Sequence, residues 1–393
     1  MAVAKAESNQ AHDTKITKKT AAVPAPICEQ QSSLFFQRLP PEVRDLVYSY
    51  YFHSTRLSHG AIPFSWGRRI LVKTAPNSLA LLRTCRRTRA EVGDIWLGQV
   101  LFNFEDCRTM LDKLTALPED TLSKIRHLRV RGDALLPSWP GHDYNLHYYR
   151  LASAFKLLPG LQLDTLTVLR GCCSDAVSYD TLSALIAEGD GWKELRYISH
   201  NSTLLGFASA PDTISPLAPK NDYVRKPQPE HWRSVLLQRD GAASKPSVEI
   251  YRSTKDREVG SVIQRDSQVR YEQKTTESAD KDSFAAEEDG SLCTEGESFK
   301  ELLIVARRGD RVDYREKEGS PFIHRDIRQD IPGMTWQEIK DNYIDVPRGS
   351  EEGDYPKGEL DPEVKGQLPE VDQYHDVDEY IWTLFHFGLE HLW

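Results

Sequence analysis

With 393 residues, 28% charged and 39% hydrophobic, the chain is long enough for two domains or for one large one with tails, and it is less apolar than an ordinary globular protein. Its formal net charge of −9 is unevenly placed: 13 acidic and 3 basic residues lie between Asp341 and Tyr380, against 16 basic and 9 acidic between Leu34 and Arg131. No run reaches membrane-spanning length, no apolar signal core opens the sequence, and the six cysteines form no C-x-x-C pair. Reduced thiols in an intracellular protein, cytoplasmic or nuclear, are therefore expected.

Residues 1–33 are Ala-, Lys-, Thr- and Gln-rich without apolar period and read as a disordered arm. Ordered structure is expected to begin at Leu34–Phe52, where Phe36, Leu39, Val43, Leu46, Val47, Tyr50 and Tyr51 recur every three or four residues. Pro40 and Pro41 mark a helix start, where a missing N–H costs nothing, and Glu42 and Asp45 suit the positive end of the helix dipole. His53 to Pro76 is a long connection, with near-alternating Ile62, Phe64, Trp66, Ile70 and Val72 suggesting a short hairpin. Asn77-Ser78 is a cap for a second helix with Leu79, Leu82, Cys85, Val92, Ile95 and Trp96 on its apolar side. Arg83, Arg86, Arg87 and Arg89 crowd the polar side. They are either a contact face for phosphate or an acidic partner, or, as we prefer, a solvated face paired with Glu91 and Asp94.

Val100–Phe104 reads as a strand and Cys107–Ala116 as a helix opened by Glu105-Asp106. Three further strands, Ile125–Val130, Leu161–Leu169 and Glu194–Ile198, alternate with helical stretches at Tyr148–Leu158 and Tyr179–Ala187. Strand starts roughly thirty to forty residues apart suggest parallel crossovers. The expected class is α+β (mixed α/β), with helices at the N-terminal side followed by a leucine-rich-repeat-like array or a small mixed sheet with helices on one side. A loop-rich stretch follows, then a helix at His231–Gln238, a strand at Val248–Tyr251, and a polar segment at 254–298 read as a disordered insertion. Leu302–Ala306 is short, continuous and apolar, as a buried strand returning to the same sheet would be. Residues 319–376 are acidic and punctuated by Pro and Gly. Val377–Trp393 carries a helical stripe of Ile381, Leu384, Phe385, Leu389 and Leu392, expected to dock on the core or on a partner.

The sequence carries no G-x-G-x-x-G, G-x-x-x-x-G-K-[ST], G-x-S-x-G or H-E-x-x-H motif. His142 and His147 sit in a loop-like GHDYNLHYY, and His386 and His391 are off-face for a helix, so neither pair is expected to bind metal. No catalytic residue and no cofactor is expected, and the chain is not read as an enzyme.

LPPEVR at Leu39–Arg44, followed by LLRTCRRTRAE at Leu81–Glu91 and continuing into Trp96 and Leu101-Phe102, resembles a group of fungal F-box-like proteins. The resemblance covers Leu34 to about Phe104. It implies a module at 34–104 that docks on a Skp-type adaptor of a cullin-type ubiquitin ligase, while the α/β region, residues 105–253 with the strand at 299–318, selects a protein substrate. It places Leu39, Pro40, Pro41, Val43 and Leu46 at the adaptor interface, a role they would share with, or yield to, the module's own core. The inserted Ile62–Val72 segment departs from the motif and favours an alternative, a stand-alone protein-interaction domain without a ligase. A third reading, nucleic-acid binding through the arginine-rich helix, is opposed by the overall acidity.

Overall fold

A computed structural model describes residues 33–63, 69–71, 79–137, 148–171, 175–206, 228–271, 292 and 296–344. Residues 1–32 of the arm expected at 1–33, the two histidine pairs and the helix at 377–393 lie outside the described residues.

In chain order, helix α1 (Leu34–Arg38) and helix α2 (Pro41–His53) lead into strand β1 (Arg56–His59) and the hairpin β2 (Ala61–Pro63) and β3 (Arg69–Leu71). Helices α3 (Ala80–Thr84) and α4 (Arg86–Val92) precede β4 (Leu101–Phe104), α5 (Cys107–Leu114), α6 (Glu119–Leu122) and β5 (His127–Arg131). Then come α7 (Leu151–Phe155), β6 (Leu163–Leu169), α8 (Asp175–Ala187), β7 (Trp192–Ser199) and α9 (Thr203–Gly206). The remainder is α10 (Glu230–Asp240), β8 (Ser247–Asp256), β9 (Gln268–Tyr271), β10 (Lys300–Arg307), α11 (Ile327–Asp330) and α12 (Trp336–Ile339).

The class is α+β, built on one mixed sheet of eight strands in the order β1-β4-β5-β6-β7-β10-β8-β9. The first five pair in parallel. The last three are antiparallel to their neighbours. Register explains the core. Leu57, Phe102, Leu128, Leu166, Leu195, Ala306 and Val248 stand side by side across seven strands, and His59, Phe104, Val130, Val168, Tyr197, Ile304 and Ile250 form the next row. Side chains two apart share a sheet face, so both rows point one way. Met110, Leu111 and Leu114 of α5, Phe155 of α7, Leu182 and Leu185 of α8, and Trp232 and Leu236 of α10 pack into the same core. Burying each such side chain is worth roughly 1.5–3 kcal/mol. The opposite face holds a smaller cluster of Leu169, Ile198, Leu303, Val305 and Val262. Beside it runs a polar row in which Arg129 Nε donates to Asn103 Oδ1 at 2.7 Å and Asn103 Nδ2 donates to Ser58 Oγ at 3.2 Å.

The structure departs from the sequence reading in several places. The single helix expected after Ser78 is two. Cys85 is extended between them (φ −153°, ψ 153°) and its sulfur accepts from Thr88 N–H at 3.2 Å, so it caps α4 instead of lining an apolar side. Ile95, expected on that side too, is exposed. The expected helix at 148–158 shrinks to α7 because Tyr149 pairs with Leu135 in an isolated bridge. Residues 254–271, placed in a disordered insertion, hold the end of β8, two 3-10 turns and β9. Strand pairing supplies there the order that low hydrophobicity argued against. Arg56–His59, read as connection, is the edge strand β1. Finally, the segment after β10 is a strap across the helix layer: Ile327 N–H donates to Ser153 Oγ, and Trp336 Nε1 and Lys340 Nζ both donate to Asp112 of α5 at 2.7 Å.

Candidate protein-docking face

Helix α2 starts where the prolines predict, with Pro41 at its first position and Glu42 in its first turn. Its inward residues are not its most apolar ones. Arg44, Tyr48 and Phe52, spaced by four, are buried, and Phe52 reaches the core beneath the sheet. Burying Arg44 needs a counter-charge, and Glu91 of α4 supplies it. Arg44 Nε and NH2 donate to Glu91 Oε2 and Oε1 at 3.0 and 2.8 Å, a bidentate pair joining residues 47 apart. Arg44 NH1 also donates to the carbonyl of Leu39 at 2.6 Å, which fixes the chain just before the two prolines. Tyr48 donates its hydroxyl to Glu91 at 2.9 Å, and Arg87 Nε donates to the same carboxylate at 3.1 Å. The Arg87 guanidinium stands 4.4 Å over the Phe36 ring of α1. One carboxylate thus binds α2 to α4, and Phe36 adds α1.

The electrostatics follow the geometry. Partial burial pushes the Glu91 carboxyl up, but hydrogen bonds from Arg44, Tyr48 and Arg87 outweigh it and hold the carboxyl below its usual range. Burial, reinforced by the bond to Glu91, raises the Tyr48 phenol to about 12. The Glu91 bond likewise raises Arg44.

With the ionic side turned inward, the apolar side of α2 is left outside. Val43, Leu46, Val47 and Tyr50 are 39, 58, 41 and 77% exposed, and Leu34 of α1 and Ile95 beyond α4 are exposed as well. Of the five residues expected at an interface, Pro40, Pro41, Val43 and Leu46 are exposed and Leu39 is half-buried. The role in the module's own core therefore does not hold for those four. The residues the sequence missed are Leu34, Val47 and Tyr50 as surface and Arg44 and Glu91 as framework. Helical spacing groups Val43, Leu46, Val47 and Tyr50 on one side but does not show that the side is open.

The four arginines are split between α3 and α4. Arg83, Arg86 and Arg89 are exposed, while Arg87 is half-buried against Glu91 and Phe36. The pairing with Glu91 is present, whereas Asp94 bonds Lys124 at 3.1 Å. A second surface lies across the sheet, where β9, β8, β10 and β7 carry an alternating ion chain on one face. Arg270 meets Glu249 at 3.6 Å, Glu249 meets Arg307 at 2.9 Å, Arg307 meets Glu194 at 2.7 Å, and Glu194 meets Arg196 at 2.6 Å. Glu194, Arg196 and Arg307 border a cleft of about 540 Å³ that Lys193 and Lys245 also line. These charges answer one another, so the arrangement is a solvated sheet face more than a ligand cradle.

Among the described residues, no helix is long and apolar enough to cross a membrane and no group of three or more His, Cys, Asp and Glu side chains is placed to hold a metal ion. No family model, curated protein or solved structure matches the chain.

Proposed function

We propose that the chain is an F-box-like adaptor of a cullin-type ubiquitin ligase, working inside the cell, in cytoplasm or nucleus, with the open side of α2 as the seat of a Skp-type adaptor and the α/β region gathering a protein substrate. The single observation that carries this reading is the outward apolar side of α2, Val43, Leu46, Val47 and Tyr50, held rigid from behind by the Arg44–Glu91 pair. Rigid framing lowers the ordering cost of docking. In this reading the chain contributes no catalytic group. It works by raising the local concentration of one protein near the catalytic subunit of another.

A second reading, a stand-alone protein-interaction domain with no ligase, draws support from a different observation. Strands β1 and β4, from within the expected module, lie in the same sheet as the α/β region. Capture on purified Skp-type adaptor separates the two. Wild type is expected to bind, and Leu46→Asp/Val47→Asp to lose at least about tenfold in affinity, about 1.4 kcal/mol. Both positions are exposed, so circular dichroism should show an unchanged fold. A wild-type chain that fails to bind, or a variant that binds as well, rejects the ligase reading.

A further inference from the structure

We infer that residues 377–393 of the same chain fold back onto the apolar side of α2 and compete there with the adaptor. The inference rests on the reading above for its regulatory meaning, and on three independent features for the contact itself.

The first is the face. Val43, Leu46, Val47 and Tyr50 present contiguous helical spacing to the outside. The second is the segment. Ile381, Leu384, Phe385, Leu389 and Leu392 recur at helical spacing, flanked by Tyr380, Trp382 and Phe387, which gives it an apolar stripe of comparable length. An amphipathic segment of this kind is what an apolar helix side accepts. The third is charge. Residues 345–376, which tether the segment, carry 10 acids and 3 bases. Helix α4, which Glu91 joins to α2, exposes Arg86 and Arg89, and α3 exposes Arg83. The acidic tether and the arginines are complementary, and attraction between them concentrates the segment near the face.

Reach is not limiting. The described chain ends at Ile344, whose side chain packs on the core. The residues 345–376 that follow span at most about 110 Å when extended. A folded chain of this size has a radius of gyration of about 20 Å. The competing occupant is therefore tethered, and a tethered competitor acts at high effective concentration even when its own affinity is weak.

The test uses the full chain. A photo-reactive benzoylphenylalanine at Tyr50 reports the contact without any adaptor present. Cross-links within a single chain to residues 377–393 are expected, fewer at high salt and absent from Leu384→Asp/Phe385→Asp. Cross-links between two chains, or to other parts of the molecule only, would overturn the inference. Adaptor affinity is then measured for wild type and for Leu384→Asp/Phe385→Asp. A gain of about tenfold is expected if the face is open in about a tenth of the molecules. Equal affinities without the cross-link reject the fold-back and leave the adaptor reading standing. The cross-link without adaptor binding by either protein rejects the adaptor reading and leaves the fold-back standing.

Discussion

Lys156 at the end of α7 and Glu316 in the strap meet at 3.0 Å with side chains 1 and 0% exposed. Burial pushes the Glu316 carboxyl up, against the opposing effects of Ser320 and Lys156. Glu316→Ala leaves a buried ammonium and is expected to cost about 3–5 kcal/mol, whereas Lys156→Met/Glu316→Leu should fall near wild type. Urea unfolding of the three proteins reads this directly. A cheap single variant would mean that Asp190, 3.4 Å from the same ammonium, carries Lys156 alone. Glu91 makes the opposite case. Its carboxyl is held below the ordinary 4.5 in the folded chain, so its stabilising contribution is complete above that value and is lost as pH falls through the lowered one. Between pH 6 and 3, wild type should therefore lose more stability than Glu91→Gln. Equal slopes would show that the bidentate bond contributes nothing. Neither pairing was legible locally. Arg44 and Glu91 each stand in a recognisable motif, but nothing in the sequence links residues 47 apart.

At the scale of elements, apolar patterning was the reliable signal. Alternation placed strands at Leu163–Leu169 and Trp192–Ser199, and a continuous apolar run placed Lys300–Arg307, whose six central residues are all buried. Strand β1 was invisible since RLSH offers only Leu57 and His59 to the helix-covered face and sits at the sheet's edge. The break at Cys85 was hidden because a cysteine, unlike Gly or Pro, announces no boundary. Helix α12 did announce itself. Thr335 and Glu338 form a capping box, with Thr335 N–H donating to Glu338 at 2.7 Å, and T-x-x-E before an apolar residue is its sequence signature. That signal lay inside a stretch read as acidic and Pro/Gly-punctuated. The box seats Trp336 on Asp112, so Thr335→Ala is expected to cost about 1 kcal/mol. It should also speed amide exchange at 336–344 while leaving the β6 and β7 amides protected. Uniform loss of protection would instead tie the strap to the global transition.

The whole molecule is organised by pairings that cross the boundary the motif suggests. Strand β4 lies between β1 and β5, so the segment 34–104 supplies two strands whose outer neighbour comes from the α/β region. Phe52 and Leu57 share one core with Leu128, Leu166 and Trp192, which places helix α2 on the same hydrophobic body as the rest of the sheet. A chain that folds this way is expected to have no independent N-terminal unit. Residues 34–104 expressed alone would expose Phe102 and Phe104 along with one unpaired edge of β4, and a two-stranded remnant is marginal in water. The fragment is therefore expected to unfold without a cooperative transition, while the full chain unfolds the α2 and sheet probes together. Calorimetry and a tryptophan probe at Trp96 read both. A fragment with its own sharp transition would show that the N-terminal helices are a separable module after all, with β1 and β4 borrowed by the sheet. The open side of α2 would then have to be tested on that fragment first, because its rigidity would come from Arg44 and Glu91 alone.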